Sequence, residues 1–157
     1  METVVRRADM NDIESIVDMY VVFAETLLIP DPYYNREVDR DRAYRIIENT
    51  LEDNERRAFF VAEKEGQTIG YVDIWLLDKD FHFFADDYAY INAIFVKEIY
   101  RNLSNTIKLY RRAEEWAMNN NYKYLVADVL YHNDRVARAL KKDGFNRYRT
   151  RVVKNLI

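Results

Sequence analysis

Residues 101–106, Arg-Asn-Leu-Ser-Asn-Thr, close an apolar run and open an amphipathic stretch. A helix starting there presents orphan backbone amides and the positive end of its dipole, the two features that draw in an anion such as a phosphate. Arg101 adds a full charge. Ser104 can add a hydroxyl to that cradle or merely cap the helix while Arg101 stays solvated, and the residues leave both readings open. Farther along, Tyr131, His132 and Asn133 stand together. An imidazole with its ordinary pKa of about 6.5 suits proton transfer near neutrality, so His132 is a candidate general base. Tyr131 is a candidate acid if its hydroxyl turns inward. The plainer alternatives are a polar loop residue for His132 and a core tyrosine for Tyr131. His82 is the only other histidine; the two are distant and lack helical ligand spacing, so no metal site is expected. Asp31, Asp86 and Asp87 would attract a cationic amine or simply solvate their loops.

Elements must hold these residues in place. Residues 3–7 are short and β-branched, and Asp9 follows as a cap for a helix beginning near Met10. Within it Ile13, Ile16, Val17, Tyr20 and Ala24 recur at three- and four-residue steps, one apolar stripe for a sheet. Pro30 and Pro32 break the helix, predicting a loop over 28–36, and a second helix over 38–51 buries Ile46, Ile47 and Leu51. Strands over 58–63 and 68–77 flank a turn in which Gly66 supplies positive φ. Residues 89–96 are apolar enough for a central strand and lead directly to Arg101. A helix over 104–119, a buried strand over 124–130, a helix over 134–142 with Gly144 as C-cap and a last strand over 147–154 complete the chain.

The composition sets outer limits. The chain has 157 residues, 49% apolar and 32% charged, with three Gly and two Pro, which predicts one folded domain over 1–157 without disordered stretches. A net charge of -3 gives no general attraction to nucleic acid or to an anionic membrane. The absence of cysteine removes disulfides, thiol catalysis and thiolate metal sites together. The charged N-terminal dozen lacks an apolar signal core and no run reaches the roughly 20 apolar residues of a membrane span, so a soluble cytoplasmic protein is expected. The 15% aromatic content supplies large buried surfaces.

Taken in order, the apolar strand, arginine-bearing turn, amphipathic helix, second strand, asparagine and short helix ending in Gly144-Phe145 resemble the GCN5-related N-acetyltransferase (GNAT) family. The 5–9 opening and the 61–72 hairpin fit as well, and 94–145 is the specific part. The resemblance implies an α/β (α+β) fold with a mixed central sheet of about six to seven strands flanked by about four helices. It implies acetyl-CoA as cofactor, with Ile94, Phe95 and Val96 along the pantetheine arm, Arg101 and the amides of Leu103, Ser104, Asn105 and Thr106 at the pyrophosphate, and Asn133 in the closing motif. Family members carry glycine or another small residue where Ser104 and Thr106 stand. Their frequent acid, a tyrosine seven residues past the asparagine, is Leu140 here, and Tyr90 and Asn92 stand where a glutamate base is expected.

Two functions follow from the resemblance. One is an acetyl-CoA-dependent N-acetyltransferase, slow because its acid and base positions are vacant, acting on an amine of a small molecule or protein held between the 30–34 loop and the 78–87 segment. Positioning an amine against a thioester supplies much of the acceleration without either group. The other is a catalytically silent relative used for binding or assembly through aromatic residues such as Tyr33, Tyr34, Phe81, Phe83 and Phe84. Its partner would be another protein or a second copy, and it resembles bacteriophage proteins of this type, which would place it in a virion.

Overall fold

A computed structural model describes residues 2–28, 31, 33, 38–79 and 86–156. The strands are β1 (Val4–Arg7), β2 (Arg57–Lys64), β3 (Gln67–Leu77), β4 (Tyr88–Val96) and β5 (Leu125–Ala127), and the helices are α1 (Ile13–Leu28), α2 (Arg40–Glu52), α3 (Leu103–Asn119) and α4 (Asp134–Lys142). Asp9 caps as its sequence position predicts: its carboxylate accepts the Asn11 amide at 2.8 Å, and Asp12 returns the bond to the Asp9 amide at 2.9 Å. A single tight turn over Met10–Asp12 then runs into α1. Asp39 does the same for α2 through the Arg42 amide. Between β2 and β3, Glu65 and Gly66 both take positive φ, 53° and 74°, the twist a two-residue hairpin turn needs.

The sheet runs in the order β1-β2-β3-β4-β5. Its first three ladders are antiparallel and the last, β4 with β5, is parallel, so the sheet is mixed. Alternation along the strands sends Ala58, Phe60, Ala62, Val72 and Ile74 to one face, packed on Leu109, Ala113 and Ala117 of α3. Phe59, Val61, Tyr71 and Phe95 point to the other, against Ile16, Val17 and Met19 of α1 and Ile47 of α2. Gly70 lets β3 press against β4 and α3: a Cβ there would sit 2.6 Å from the Phe95 carbonyl oxygen.

The expected class, mixed sheet and four helices stand, but the sheet has five strands among the described residues, not six to seven. Residues 147–154 form no strand and are exposed. Alternation measures fit to a pleated, half-buried surface rather than an intrinsic preference, and the three-residue β5 offers little edge to fit. The buried strand over 124–130 shrinks to a half-buried Leu125–Ala127. Its parallel ladder ends at Ile91 opposite Ala127, the last residue of β5, next to a bulge in the pairing of β4 with β3. The readings placed on His82, Pro30, Pro32, Tyr34, Phe81, Phe83 and Phe84 fall outside the described residues.

Candidate active site

β4 runs five residues past its last pairing with β5, over 92–96, and no strand covers that side among the described residues. Half of the backbone groups of such a stretch point away from β3. Three of its side chains are committed: Phe95 and Val96 are buried and Ile94 half-buried in the two cores. What Ile94, Phe95 and Val96 can offer a ligand is therefore chiefly backbone.

The strand ends at the start of α3. Here the cap is Asn102 rather than Ser104: its side chain accepts the Asn105 amide at 2.8 Å, and the helix begins one residue earlier, at Leu103. Asn105 is buried and its own amide group donates to the Tyr100 carbonyl at 2.8 Å, locking the turn. The Thr106 hydroxyl donates to the Asn102 carbonyl at 3.1 Å, so that side chain folds back along the helix. The amides of Leu103 and Ser104 lie in the first turn, ahead of any intrahelical acceptor, and Ser104 is exposed. Arg101 reaches back to the Val96 carbonyl through Nε and Nη2, both at 3.3 Å, with its guanidinium 5.9 Å from the Phe95 ring centre. Its Nη1 faces no such commitment among the described residues.

Tyr131 and His132 form the turn before α4, both exposed. Tyr131 is 98% exposed, so the core placement its ring suggests is not adopted and its hydroxyl is not turned inward. Neither makes a hydrogen bond to another described residue. Asn133 caps α4 through the Val136 amide at 3.3 Å, and Leu140 is half-buried. The loop aspartates are also used locally. Asp31 accepts the Tyr33 amide, Asp86 the Asp87 amide and Asp87 the Lys79 amide.

A polar cluster that sequence reading missed lies on the face shared with α1 and α2, near the end of the β4–β5 ladder. Asp73 of β3 is 2% exposed. It accepts from Arg57 Nε at 2.9 Å and Nη2 at 2.8 Å, from Trp75 Nε1 at 3.0 Å and from Asn92 Nδ2 at 2.7 Å. Arg57 stacks on Trp75, 4.6 Å from the ring centre. Beside them the Tyr90 hydroxyl donates to Asp128 at 2.9 Å. Burial, then the negative charge of Asp128, push the Tyr90 phenol well above its usual range, so it remains a proton donor. The available signal was an aspartate inside the apolar run of 70–77, since a buried carboxylate needs a partner.

A strand parting from its parallel neighbour and ending at a helix N-terminus is an arrangement that can hold a phosphate-bearing ligand with its tail beside the sheet. The model of the acetyltransferase (GNAT) family matches residues 21–145. This chain belongs to that family. Solved structures share the GNAT fold over nearly the whole length. The aminoglycoside N-acetyltransferase AAC(6')-Iy, in complex with a bisubstrate analogue of CoA and acetylneamine, has a TM-score of 0.78 at 17% identity, covering 99% of this chain and 98% of that one. A predicted acetyltransferase with acetyl-CoA from Clostridium acetobutylicum has a TM-score of 0.74 at 20% identity, over 99% and 97%. A ribosomal-protein-alanine N-acetyltransferase from Brucella melitensis biovar Abortus gives 0.71 at 13%, over 99% and 100%. No curated protein matches the chain. Among the described residues of this GNAT protein no helix is long and apolar enough to cross a membrane.

Proposed function

We propose that this GNAT protein transfers an acetyl group from acetyl-CoA to an amine. The observation that carries this reading is the unpaired stretch 92–96 of β4 running into the exposed first turn of α3. The residues present fit the coenzyme: the Leu103 and Ser104 amides, the Ser104 hydroxyl and the uncommitted side of Arg101 make a small anion cradle. The Thr106 hydroxyl is turned onto the Asn102 carbonyl of its own helix. Acetyl-CoA supplies the activated acetyl group as a thioester. Overall, a bond forms between the amine nitrogen and the acetyl carbon, the C–S bond breaks, and of the two protons the starting ammonium gives up, one ends on the departing sulfur and one in solvent. The chain's part is to hold the two reactants in register and exclude water.

A melting series tests the coenzyme site. Acetyl-CoA at a hundredfold excess over its dissociation constant should add about 2.7 kcal/mol to folding stability, and Arg101→Ala should reduce that gain. Thiol release in the presence of an amine then measures transfer. Absence of any melting shift at millimolar acetyl-CoA would overturn the proposal and return the protein to a binding or assembly role.

A further inference from the structure

Asn92 is exposed in the middle of β4 although Ile91 and Ala93 on either side are buried. A bulge puts it there. Asp73 pairs with Ala93 and Ile74 with Ile91, so Asn92 is the extra residue that the β3 ladder skips, and a bulge of this kind re-aims a side chain. The Asn92 amide then meets Asp73, its Nδ2 donating to Oδ2 at 2.7 Å. Arg57 clamps that carboxylate at 2.9 and 2.8 Å and Trp75 donates to it at 3.0 Å. A carboxylate so held only accepts. Turning the amide over would set its oxygen against the carboxylate, so Oδ1 is held on the side of the amide away from Asp73, in a residue that is itself exposed.

Building on the acetyltransfer reading, we propose that Asn92 docks the acceptor: its Oδ1 accepts a hydrogen bond from an N–H of a primary amine and orients that nitrogen beside the 92–96 stretch. An amide oxygen suits this task in a way a carboxylate does not. It carries no charge, so it favours the ammonium over the free amine less than a carboxylate does, and the ammonium has no lone pair for attack. A primary amine keeps two N–H bonds after losing its proton, so it can give one to Oδ1 and still has its lone pair free. A quaternary ammonium has no N–H and is refused. Arg57, Asp73 and Trp75 act as positioning residues. Among the described residues Tyr90 lies beside this corner, bonded to Asp128 and within reach of the Arg151 charge.

The test uses the full chain with neamine, spermidine and an alanine-starting peptide, each beside its permethylated quaternary form. Nuclear magnetic resonance follows the Asn92 side-chain amide during titration without coenzyme, and steady-state transfer is measured separately. At least one primary amine should shift the Asn92 signals while its quaternary form does not. Asn92→Ala should raise that amine's KM roughly five-fold, the loss of one hydrogen bond. Asn92→Asp sets a second carboxylate against Asp73, and like charges oppose each other's ionisation, so its kcat/KM profile should gain an inflection that the wild type lacks. Binding that shifts Asn92 without any transfer would sink the acetyltransferase reading and leave this docking role standing. Transfer with a KM untouched in Asn92→Ala, equal binding of the quaternary form, or silence of Asn92 towards all three amines overturns the docking role itself.

Discussion

Two aspartates are buried against this sheet, each held by an arginine. Asp12, 3% exposed at the start of α1, accepts from Arg6 at 2.7 and 2.9 Å, from the Asp9 amide at 2.9 Å and from the Thr68 hydroxyl at 3.5 Å. Arg6 goes on to Glu63. Its circuit ties the first helix to β1, β2 and β3. Asp73 is as deeply buried and accepts four bonds as well, but one of its donors, Asn92, is exposed and carries a second polar atom outward. The same chemical device serves as a clasp where its chain of bonds closes and as a fixed recognition group where the chain ends in an amide.

The largest expected difference lies in removing the aspartates. Asp73→Ala strands the Arg57 guanidinium, whose side chain is only 17% exposed, and loss of one partner of a buried pair costs about 3–5 kcal/mol. Asp12→Ala leaves Arg6 with Glu63 as partner and a side chain 38% exposed, so a loss of about 1–3 kcal/mol is expected. Urea denaturation of both variants measures it. Equal losses would break the contrast between a closed and an open circuit.

Acid separates the clasp more finely. Burial opposes ionisation of Asp12, but the hydrogen bonds from Arg6 and from the Asp9 amide outweigh it and hold the carboxyl below the usual carboxylate range. Because the unfolded chain takes up this proton first, at its ordinary pKa of about 3.9, the contribution is complete above that pH. It is lost as pH falls through the lower folded value. Stability measured from pH 6 downward should therefore drop less steeply in Asp12→Asn than in the wild type below about pH 4. Parallel curves would show that the Arg6 clasp contributes no proton linkage.

Part of this was legible in the sequence. The Asp9 cap, the α1 stripe, the Gly66 turn and the limits of α4 are local, and local rules find them. The cap of α3 was not: Asn102 and Ser104 are both cap formers, and the choice falls to Asn105, whose buried side chain bonds the Tyr100 carbonyl. Asp73 was hidden for a different reason. Beyond Trp75 on its own strand, its partners lie on β2 and β4, and Arg57 reaches it diagonally, across a register that pairs Phe59 with Asp73 and Arg57 with Trp75. No window of neighbouring residues contains that geometry. Nor does it contain the bulge, which exists only once β3 and β4 are paired. Tyr90 and Asn92 read as vacancies for a base, and their roles appear only when Asp128 and Asp73 stand beside them.

The smallest expected effects test whether each circuit depends on its minor donor. Trp75→Phe removes the indole N–H that reaches Asp73 at 3.0 Å while keeping an aromatic face under Arg57. Asp73 retains Arg57 and Asn92, so the carboxylate stays occupied, and the loss should be about one hydrogen bond, 0.5–1.5 kcal/mol. Thr68→Val keeps the shape of its side chain and removes a bond to Asp12 that is only 3.5 Å long, at the limit of useful geometry. Its change should stay within about 0.5 kcal/mol. Thermal melts of the two variants with the wild type give the comparison. If Thr68→Val matches or exceeds Trp75→Phe, the Asp12 clasp relies on its longest bond and is less complete than its two Arg6 contacts suggest. If Trp75→Phe is silent, Arg57 and Asn92 alone hold Asp73, and the orientation of the Asn92 amide owes nothing to the indole.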